Sequence, residues 1–205
     1  MLNDPFQTAP TFDDPLGMLR ACHRRIEAAL TRLGRVVELE REGELPEPAR
    51  TALRQVLDYF AIGVPRHSAD EDESLFPRLR SELAGEAVAT IAEEHAALET
   101  LHHELDRIGR RLVETGRCAN AAERERLGEL ADRLQAIYGG HIRREDEELF
   151  PLAERTVAAE VLQEVGAEMA ARRGIDWSEQ REIVAKLHSR PWTDPTRFAP
   201  RDDDR

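Results

Sequence analysis

The sequence lacks most features of sheet, membrane and secreted proteins. Aromatic residues make up only 5% of the 205 residues, and no alternating run of apolar and β-branched residues is bounded by turn residues, so a β-sheet is not expected. No apolar stretch approaches the roughly 18–20 residues that a membrane-spanning helix needs. The N-terminal residues show no basic stretch followed by an apolar one, so no secretory signal is expected.

Cysteines are also scarce, and the excess charge is negative. The two cysteines, Cys22 and Cys118, cannot form a disulfide framework, and as free thiols they suit a reducing, cytoplasmic location. The formal net charge of -12 argues against nucleic acid as a partner, because a phosphate-binding protein shows a basic face. No Ser–His–Asp or Cys–His combination is apparent, so a hydrolase is not expected.

The sequence is rich in helix-forming residues. Leu, Ala, Glu and Arg dominate, and charged residues make up 34% of the chain. Apolar residues recur at helical spacing in four long stretches, residues 14 to about 43, about 53 to 79, about 86 to 116 and about 121 to 152. A shorter fifth helix is predicted over residues 157–172, before Gly174.

Prolines and glycines interrupt these patterns at defined points. Pro65 is expected to kink or restart the second helix, and Pro77 is expected to kink or end it. In the fourth helix, the pair Gly139-Gly140 is predicted to be a weak point.

An eleven-residue pattern occurs twice in the chain. The segment His67-Ser-Ala-Asp-Glu-Asp-Glu-Ser-Leu-Phe-Pro77 returns as His141-Ile-Arg-Arg-Glu-Asp-Glu-Glu-Leu-Phe-Pro151, with seven of the eleven positions identical, at a shift of 74 residues. A shift of 72 residues likewise places the first helix on the third and His23 on His95. The chain therefore contains two helical hairpins in tandem.

Neither hairpin can cover its own apolar stripe, so each must pack on the other. The sequence predicts an all-α fold, an up-down four-helix bundle over residues 14–155. An additional helix is expected within residues 156–174. We expect residues 1–13 to be disordered and residues 175–205 to form an extended, partly disordered tail.

Each long helix carries one histidine on its apolar stripe, and the second and fourth helices add a glutamate four residues later on the same face. An unpaired imidazole or carboxylate is costly in a dry core, and a metal removes that cost by taking both as ligands. Four imidazoles and two carboxylates exceed a tetrahedral zinc site and suit two octahedral-leaning ions, of which iron is favoured. The predicted metal ligands are His23, His67, Glu71, His95, His141 and Glu145.

The spacing of histidine and carboxylate alone has a simpler explanation. Five of the seven histidines are followed four residues later by an acidic residue, and in an acidic chain an isolated pair of this kind is more often a solvated helix pair. The repeat, the placement of one histidine per helix and the inward phase together favour the metal site.

The series of His23, His67-xxx-Glu71, His95 and His141-xxx-Glu145, with its repeated Glu-Asp-Glu-x-Leu-Phe-Pro context, resembles the hemerythrin-like HHE cation-binding domain over roughly residues 14–155. The resemblance implies a non-haem di-iron centre in a four-helix bundle, with an oxo or hydroxo bridge between the two iron ions. Glu71 and Glu145 would bridge the irons. His23 and His67 would bind one iron, and His95 and His141 would bind the other.

Two positions depart from the pattern of the oxygen-carrying members of that family. Those proteins place a second histidine four residues after the third-helix histidine, where this chain has Glu99. They also place a ligand aspartate five residues after the fourth-helix histidine. This chain has Asp146 there as an alternative ligand, but the repeat favours the preceding Glu145, because Glu71 is its mate. Glu99 and its repeat mate Glu27 are either extra carboxylate ligands or surface carboxylates. A site richer in oxygen ligands favours ferric iron, which counts against reversible oxygen carriage.

A few further residues have expected roles. His102 lies about 10 Å along the third helix from the ligand histidine, so we expect a buried, hydrogen-bonded core histidine. Tyr59 and Tyr138 can approach the centre, although packing is their default role. Phe76 and Phe150 are expected to close the bundle end and limit access of water to the metals.

Three functions remain open at the level of sequence. The first is a di-iron protein that binds or reacts with a small oxidant, which is dioxygen, peroxide or nitric oxide, at an open position expected on the His23/His67 iron. The second is an iron- or oxygen-responsive sensor, or an iron store, without turnover; the third is a metal-free scaffold. The expected partner is a small diatomic or peroxide ligand, with neither nucleic acid nor membrane, for a monomer or a homodimer.

Overall fold

The computed structural model describes residues 11–79 and 81–177, which form five helices. Helix α1 is Pro15–Glu42, α2 spans residues 47–78, α3 is Ser81–Thr115, α4 spans residues 121–156, and α5 is Ala159–Ala171. The described residues contain no strand, and none of their helices is both long and apolar enough to cross a membrane. The all-α prediction is confirmed.

The first four helices form an antiparallel ring. Helix α1 packs against α2 and α4, and α3 packs against the same two helices from the other side. Helix α5 lies across one end, against α1 and the second half of α2. The up-down bundle predicted from the tandem hairpins is therefore present, with α5 as an added element.

Helix ends follow the local chemistry of the sequence. The Asp14 side chain accepts a hydrogen bond of 2.9 Å from the Gly17 backbone N–H at the start of α1, and Asn120 does the same for Glu123 at the start of α4. Gly116, which follows α3, has a φ of 73°, a left-handed value that glycine adopts without strain.

Helices α2 and α4 widen into π-helical turns where prolines follow. In α2 the π turns are Tyr59–Gly63 and Asp70–Leu75, and in α4 the π turn is Glu145–Leu149. Each π turn ends two residues before a proline. The wider turn accommodates this proline, which lacks a backbone N–H and whose ring collides with a regular α-helix. The kink or restart expected at Pro65 is therefore absorbed by a π turn without ending the helix.

Three further expectations about helix boundaries met different outcomes. Pro77 ends α2 through the 3₁₀ turn Phe76–Arg78, as predicted. Helix α3 begins at Ser81 rather than near Glu86, because the intervening residues are mostly good helix formers. Helix α4 is α-helical from Ala121 to Arg144, across the pair Gly139-Gly140, and the weak point expected at this pair stays a prediction.

The buried apolar residues fall into two clusters. The larger cluster includes Ile26 and Leu98, and the smaller one includes Leu19 and Ile91. The two clusters are separated on α1 by residues 20–25 and on α3 by residues 92–97, and each of these segments carries the inward-facing histidine. A polar layer thus crosses the bundle between two hydrophobic regions.

Residues at the two ends of the described range add to the smaller cluster. Phe12, in the segment expected to be disordered, is 9% exposed and packs edge-on against Trp177 with ring centroids 5.2 Å apart. Burial of this aromatic ring is the physical reason that residues 11–13 are ordered. The expectations for residues 1–10 and 178–205 lie outside the described residues.

The contact of Phe12 with α5 predicts opposite effects of one substitution at two helical glycines. A methyl group at Gly166 would overlap the carbonyl oxygen of Phe12, whereas one at Gly34 would meet no atom within 4 Å. Gly166→Ala should lower the free energy of unfolding by about 1–3 kcal/mol, and Gly34→Ala should raise it by about 0.5–1 kcal/mol. Chemical denaturation measures both, and an equal increase in both variants would show that Phe12 does not contact α5 in solution.

Candidate metal centre

The polar layer brings together all six predicted ligands. One histidine comes from each helix of the ring, and the two glutamates lie one turn after the histidines of α2 and α4. The side chains are almost fully buried, with exposed fractions of 9% for His95, 1% for the other three histidines and 0% for both glutamates. The group is His23, His67, Glu71, His95, His141 and Glu145.

Glu71 faces imidazoles of both hairpins. Its Oε1 lies 3.4 Å from Nε2 of His67 and 3.8 Å from Nε2 of His23, while its Oε2 lies 3.5 Å from Nε2 of His95. Glu71 therefore spans the two halves of the centre, with one oxygen directed to each half.

Glu145 occupies the equivalent position from the other side. Its Oε2 lies 3.1 Å from Nε2 of His23 and 3.3 Å from Nε2 of His141. The six side chains make two overlapping groups in which one atom per residue lies within 4.8 Å of the others. The groups are His23, His67, Glu71 and Glu145, and Glu71, His95, His141 and Glu145.

The donor atoms of the centre lack protein partners. Both oxygens of Glu71 and of Glu145, both ring nitrogens of His67, and Nε2 of His23 and of His95 are buried without a hydrogen bond. Such atoms are costly to bury unless something outside the protein satisfies them. Anionic carboxylates interleaved with imidazole nitrogens are the donor set of a divalent or trivalent transition metal, so these residues fit cations.

Three of the ligand histidines contact a carboxylate through Nδ1, the ring nitrogen that faces away from the centre. Nδ1 of His23 lies 3.0 Å from Asp146, Nδ1 of His95 lies 2.9 Å from Asp72, and Nδ1 of His141 lies 3.0 Å from Glu94. An Nδ1–H that donates to a carboxylate fixes the tautomer, so that Nε2 is left free for a metal. From the sequence, Asp146 was expected only as an alternative ligand, and contacts of Asp72 and Glu94 with histidines were not predicted.

The duplicated motif held a signal for two of these carboxylates. Asp72 and Asp146 are repeat mates that directly follow the ligand glutamates, and each reaches a histidine on a neighbouring helix. Glu94 has no such mate, because the equivalent residue before His23 is Cys22. No pattern in the sequence could have indicated Glu94.

Glu27 and Glu99, the two possible additional ligands, lie outside the cluster. Glu27 is exposed, and the Glu99 side chain is 75% exposed and lies 3.7 Å from the exposed His103. Neither belongs to the groups that bring metal-binding atoms together. Their positions are those of surface carboxylates.

The two buried carboxylates oppose each other's ionisation. Burial, followed by the charge of Glu71, raises the pKa of Glu145 to about 8. For Glu71 burial also raises the pKa, but the neighbouring imidazoles of His67, His23 and His95 outweigh it and lower the pKa. Without a cation, the pair therefore retains one proton at neutral pH.

The pKa values of the four ligand histidines are also shifted in opposite directions. Burial lowers the pKa of His67 to about 4 and also lowers the pKa of His141. Burial acts against the charged forms of His23 and His95 too, but the carboxylates on both sides of each ring raise their pKa values to about 11 and about 10. The metal-free centre thus carries protons that a metal must displace.

Aromatic rings surround the polar layer. Phe150 stacks on His23 with ring centroids 5.4 Å apart, and Tyr138 meets His141 edge-on at 6.0 Å. Nε2 of His102 lies 3.1 Å from the Tyr138 hydroxyl, which makes the hydrogen bond expected of this histidine. The rings of Phe150 and Tyr138 therefore pack directly against ligand imidazoles of the centre.

A four-helix bundle with one inward histidine per helix and two shared glutamates defines a class of protein with a cation-binding site in its core. The model of the hemerythrin HHE cation-binding domain matches residues 14–153. The chain belongs to that family. The resemblance drawn from the histidine and glutamate motifs is confirmed.

A curated protein of Haemophilus influenzae is also similar to this chain. It is 29% identical over 174 residues, which cover 84% of this chain and 96% of the relative. The name of that relative, uncharacterized protein, assigns it no activity.

The pKa values of the centre predict that metal uptake releases protons. At pH 7, Glu145, His95 and His23 each hold a proton in the metal-free protein, because their pKa values are about 8, about 10 and about 11. Ligands must be deprotonated, so apparent metal affinity should rise with pH, by up to about tenfold per pH unit for each proton released. Calorimetric titrations in buffers of different ionisation enthalpy count the protons, and an affinity that is constant from pH 6 to 8 would contradict this protonation pattern.

Proposed function

We propose that this protein holds two iron ions in the polar layer and uses them to bind or react with a small oxidant, which is dioxygen, peroxide or nitric oxide. The observation that carries the proposal is the pair of buried glutamates, each shared between histidines of both hairpins. Shared carboxylates are the means by which proteins hold two metals about 3.5–4 Å apart. When bound, the metal pair would supply the electrons for the oxidant.

Iron is favoured over the alternatives by the donor set. Zinc sites rich in sulfur are excluded at the centre, because its ligand groups contain only imidazole and carboxylate. Magnesium and calcium prefer oxygen ligands, whereas four of the six donors here are imidazoles. Mixed imidazole and carboxylate ligation suits iron in either of its common oxidation states.

The protein's own residues orient the ligands and exclude water. Asp146, Asp72 and Glu94 each hold one imidazole through Nδ1 and keep its Nε2 directed to the centre. Phe150 covers His23 from the end of the bundle, and the Arg20 guanidinium lies 5.5 Å from the Phe150 ring centroid. A dry, pre-oriented site strengthens electrostatic interactions with a small bound molecule.

Access of the oxidant to the centre is proposed on the His95 side. His95 is 9% exposed, whereas the other ligand side chains are 1% exposed or less. The route by which the oxidant enters does not identify the iron to which it binds. The open coordination position expected on the His23/His67 iron therefore stays a prediction.

The proposal is tested on the purified full-length protein. Iron per chain is measured first, and absorption spectra are then recorded for the anaerobically reduced protein, after air and after peroxide. A reversible band after air indicates oxygen binding, and rapid peroxide consumption indicates an enzyme. A metal content near zero that ferrous loading does not restore would rule out the iron centre.

Removal of either α2 or α4 histidine should empty the centre. His67→Ala and His141→Ala each delete a buried donor, so each should lower iron affinity by more than about tenfold. His103→Ala is the matched control, because the His103 side chain is 80% exposed and lies outside both ligand groups. Plasma emission spectroscopy measures iron per chain, and unchanged iron in His67→Ala and His141→Ala would exclude the assigned site.

A second candidate function is an iron- or oxygen-responsive sensor without turnover, and one contact favours it. Asp70, which is fully buried and directly precedes Glu71, pairs with Arg172 at 2.5 Å and with Arg173 at 2.6 Å. Both arginines follow the last residue of α5. A change at the metal centre therefore has a direct connection to α5, which a partner protein could read.

The sensor candidate predicts metal-dependent protection of α5. Asp70→Asn should lower the free energy of unfolding by about 3 kcal/mol, because it removes the buried carboxylate that Arg172 and Arg173 share and leaves Arg172 with the exposed Glu73. It should also speed amide hydrogen exchange in α5. Asp58→Asn is the control, because it breaks an ion pair in which the Asp58 side chain is 54% exposed. If metal removal leaves exchange in α5 of the unmutated protein unchanged, the sensor candidate is wrong.

A further inference from the structure

Two clefts flank the metal centre, and the internal repeat relates them. The first cleft lies between α1 and α4 and has a volume of about 430 Å³, and the second lies between α2 and α3 and has a volume of about 570 Å³. Every residue that lines the first cleft has its repeat mate in the lining of the second. Asp146 and Asp72, for example, hold equivalent places at the inner ends. The clefts are therefore two versions of one structural feature.

The second cleft is opened by small side chains. Ser68 and Ala69 line it at the positions where the first cleft has Ile142 and Arg143. On α3, the lining residues Ala92 and Ala96 likewise stand where α1 carries arginines. Because the bundle packs with large residues at these positions in one half, the small residues of the other half are not a requirement of the fold. The opening extends to His95.

One wall of the second cleft is aromatic. The rings of Phe60 and His102 stack with centroids 4.7 Å apart and planes 17° apart. The equivalent of His102 in the first cleft is Leu30, so this ring stack is particular to the second cleft. Burial lowers the pKa of His102 to about 4, so its ring is neutral at physiological pH. Leu57, Leu98 and Leu105 add apolar surface to the lining.

The rim of the second cleft is acidic. Its lining includes four carboxylates and neither lysine nor arginine, and these carboxylates are Asp72, Glu73, Glu99 and Asp106. Arg172 lies 3.1 Å from Glu73 and Arg110 lies 2.9 Å from Asp106, both from outside the lining. Asp72 lies 2.9 Å from Nδ1 of His95, so the remaining negative charge is that of Glu99, which lies 3.7 Å from the exposed His103. An anion is repelled here, and a neutral or cationic molecule is not.

We propose that the cleft between α2 and α3 is a binding site for a small aromatic compound that is uncharged or positively charged. The ring of the compound lies against Phe60 and His102, and its polar end faces the carboxylates of the rim. Bound there, it covers the exposed edge of His95, which is the solvent-accessible edge of the metal centre. The volume of the cleft accommodates a molecule of two fused rings.

Three naphthalene derivatives of the same size test the proposal: 2-naphthylmethylamine as the cation, 2-naphthylmethanol as the neutral compound and 2-naphthoate as the anion. Calorimetry on the full-length protein as purified should give the amine and the alcohol at least about tenfold tighter binding than the anion, because of the acidic rim. Binding does not depend on which metal the sample carries, so this result is separable from the iron proposal.

Substitutions that copy the first cleft into the second locate the site. The double variant Ser68→Ile and Ala69→Arg introduces the residues found at the repeat-equivalent positions and should abolish binding of the amine. Ala96→Leu fills the same cleft from α3 with a good helix former, so it serves if the double variant does not fold. Arg143→Ala, which enlarges the first cleft, is the matched control and should leave binding unchanged.

The outcomes are distinct. Preference for the amine and the alcohol, lost on filling the second cleft and kept in Arg143→Ala, supports the proposal. Equal binding of 2-naphthoate, no binding of any of the three compounds, or binding that survives Ala96→Leu overturns it.

Discussion

The structure depends on how two buried carboxylates are compensated. Glu71 and Glu145 are fully buried between two hydrophobic clusters, and their oxygens have no hydrogen-bond partner in the protein. Two like charges in a low-dielectric layer destabilise each other, and burial, followed by the charge of Glu71, raises the pKa of Glu145. Imidazoles supply part of the compensation. Cations supply the rest of the compensation. With the charges compensated, the polar layer is stable between the hydrophobic clusters above and below it.

The internal repeat places equivalent ligands on both sides of the centre, and departures from the repeat make its two sides differ. The ligand glutamates, the ligand histidines and the two outer aspartates occur at repeat-equivalent positions. Each half of the bundle therefore contributes an equivalent half-site. Glu94, the Phe60–His102 stack and the small residues of the second cleft do not obey it. These differences leave one face of the centre near solvent and the other faces closed. Reaction with an external molecule requires an open face of this kind, whereas a purely structural metal site does not.

Much of the fold and the convergence of the six residues could be predicted from the sequence. Helical spacing fixed which residues face inward, and the tandem repeat showed that two hairpins share one core. The repeat marks Asp72 and Asp146 as equivalent but does not reveal which side chains they contact, because those contacts depend on the rotation of neighbouring helices and on the π turns after His67 and His141. The ion pairs of Arg172 and Arg173 with Asp70 join residues that are far apart in the chain. Local sequence patterns carry no information on such contacts.

The central claim is that two metal ions lie in the polar layer with both glutamates between them. Anomalous diffraction at the iron absorption edge, from crystals of the iron-loaded protein, tests it most directly. The account predicts two peaks, one beside His23 and His67 and one beside His95 and His141, with Glu71 and Glu145 in contact with both. A single peak, a peak outside this layer, or two peaks that share neither glutamate would contradict it.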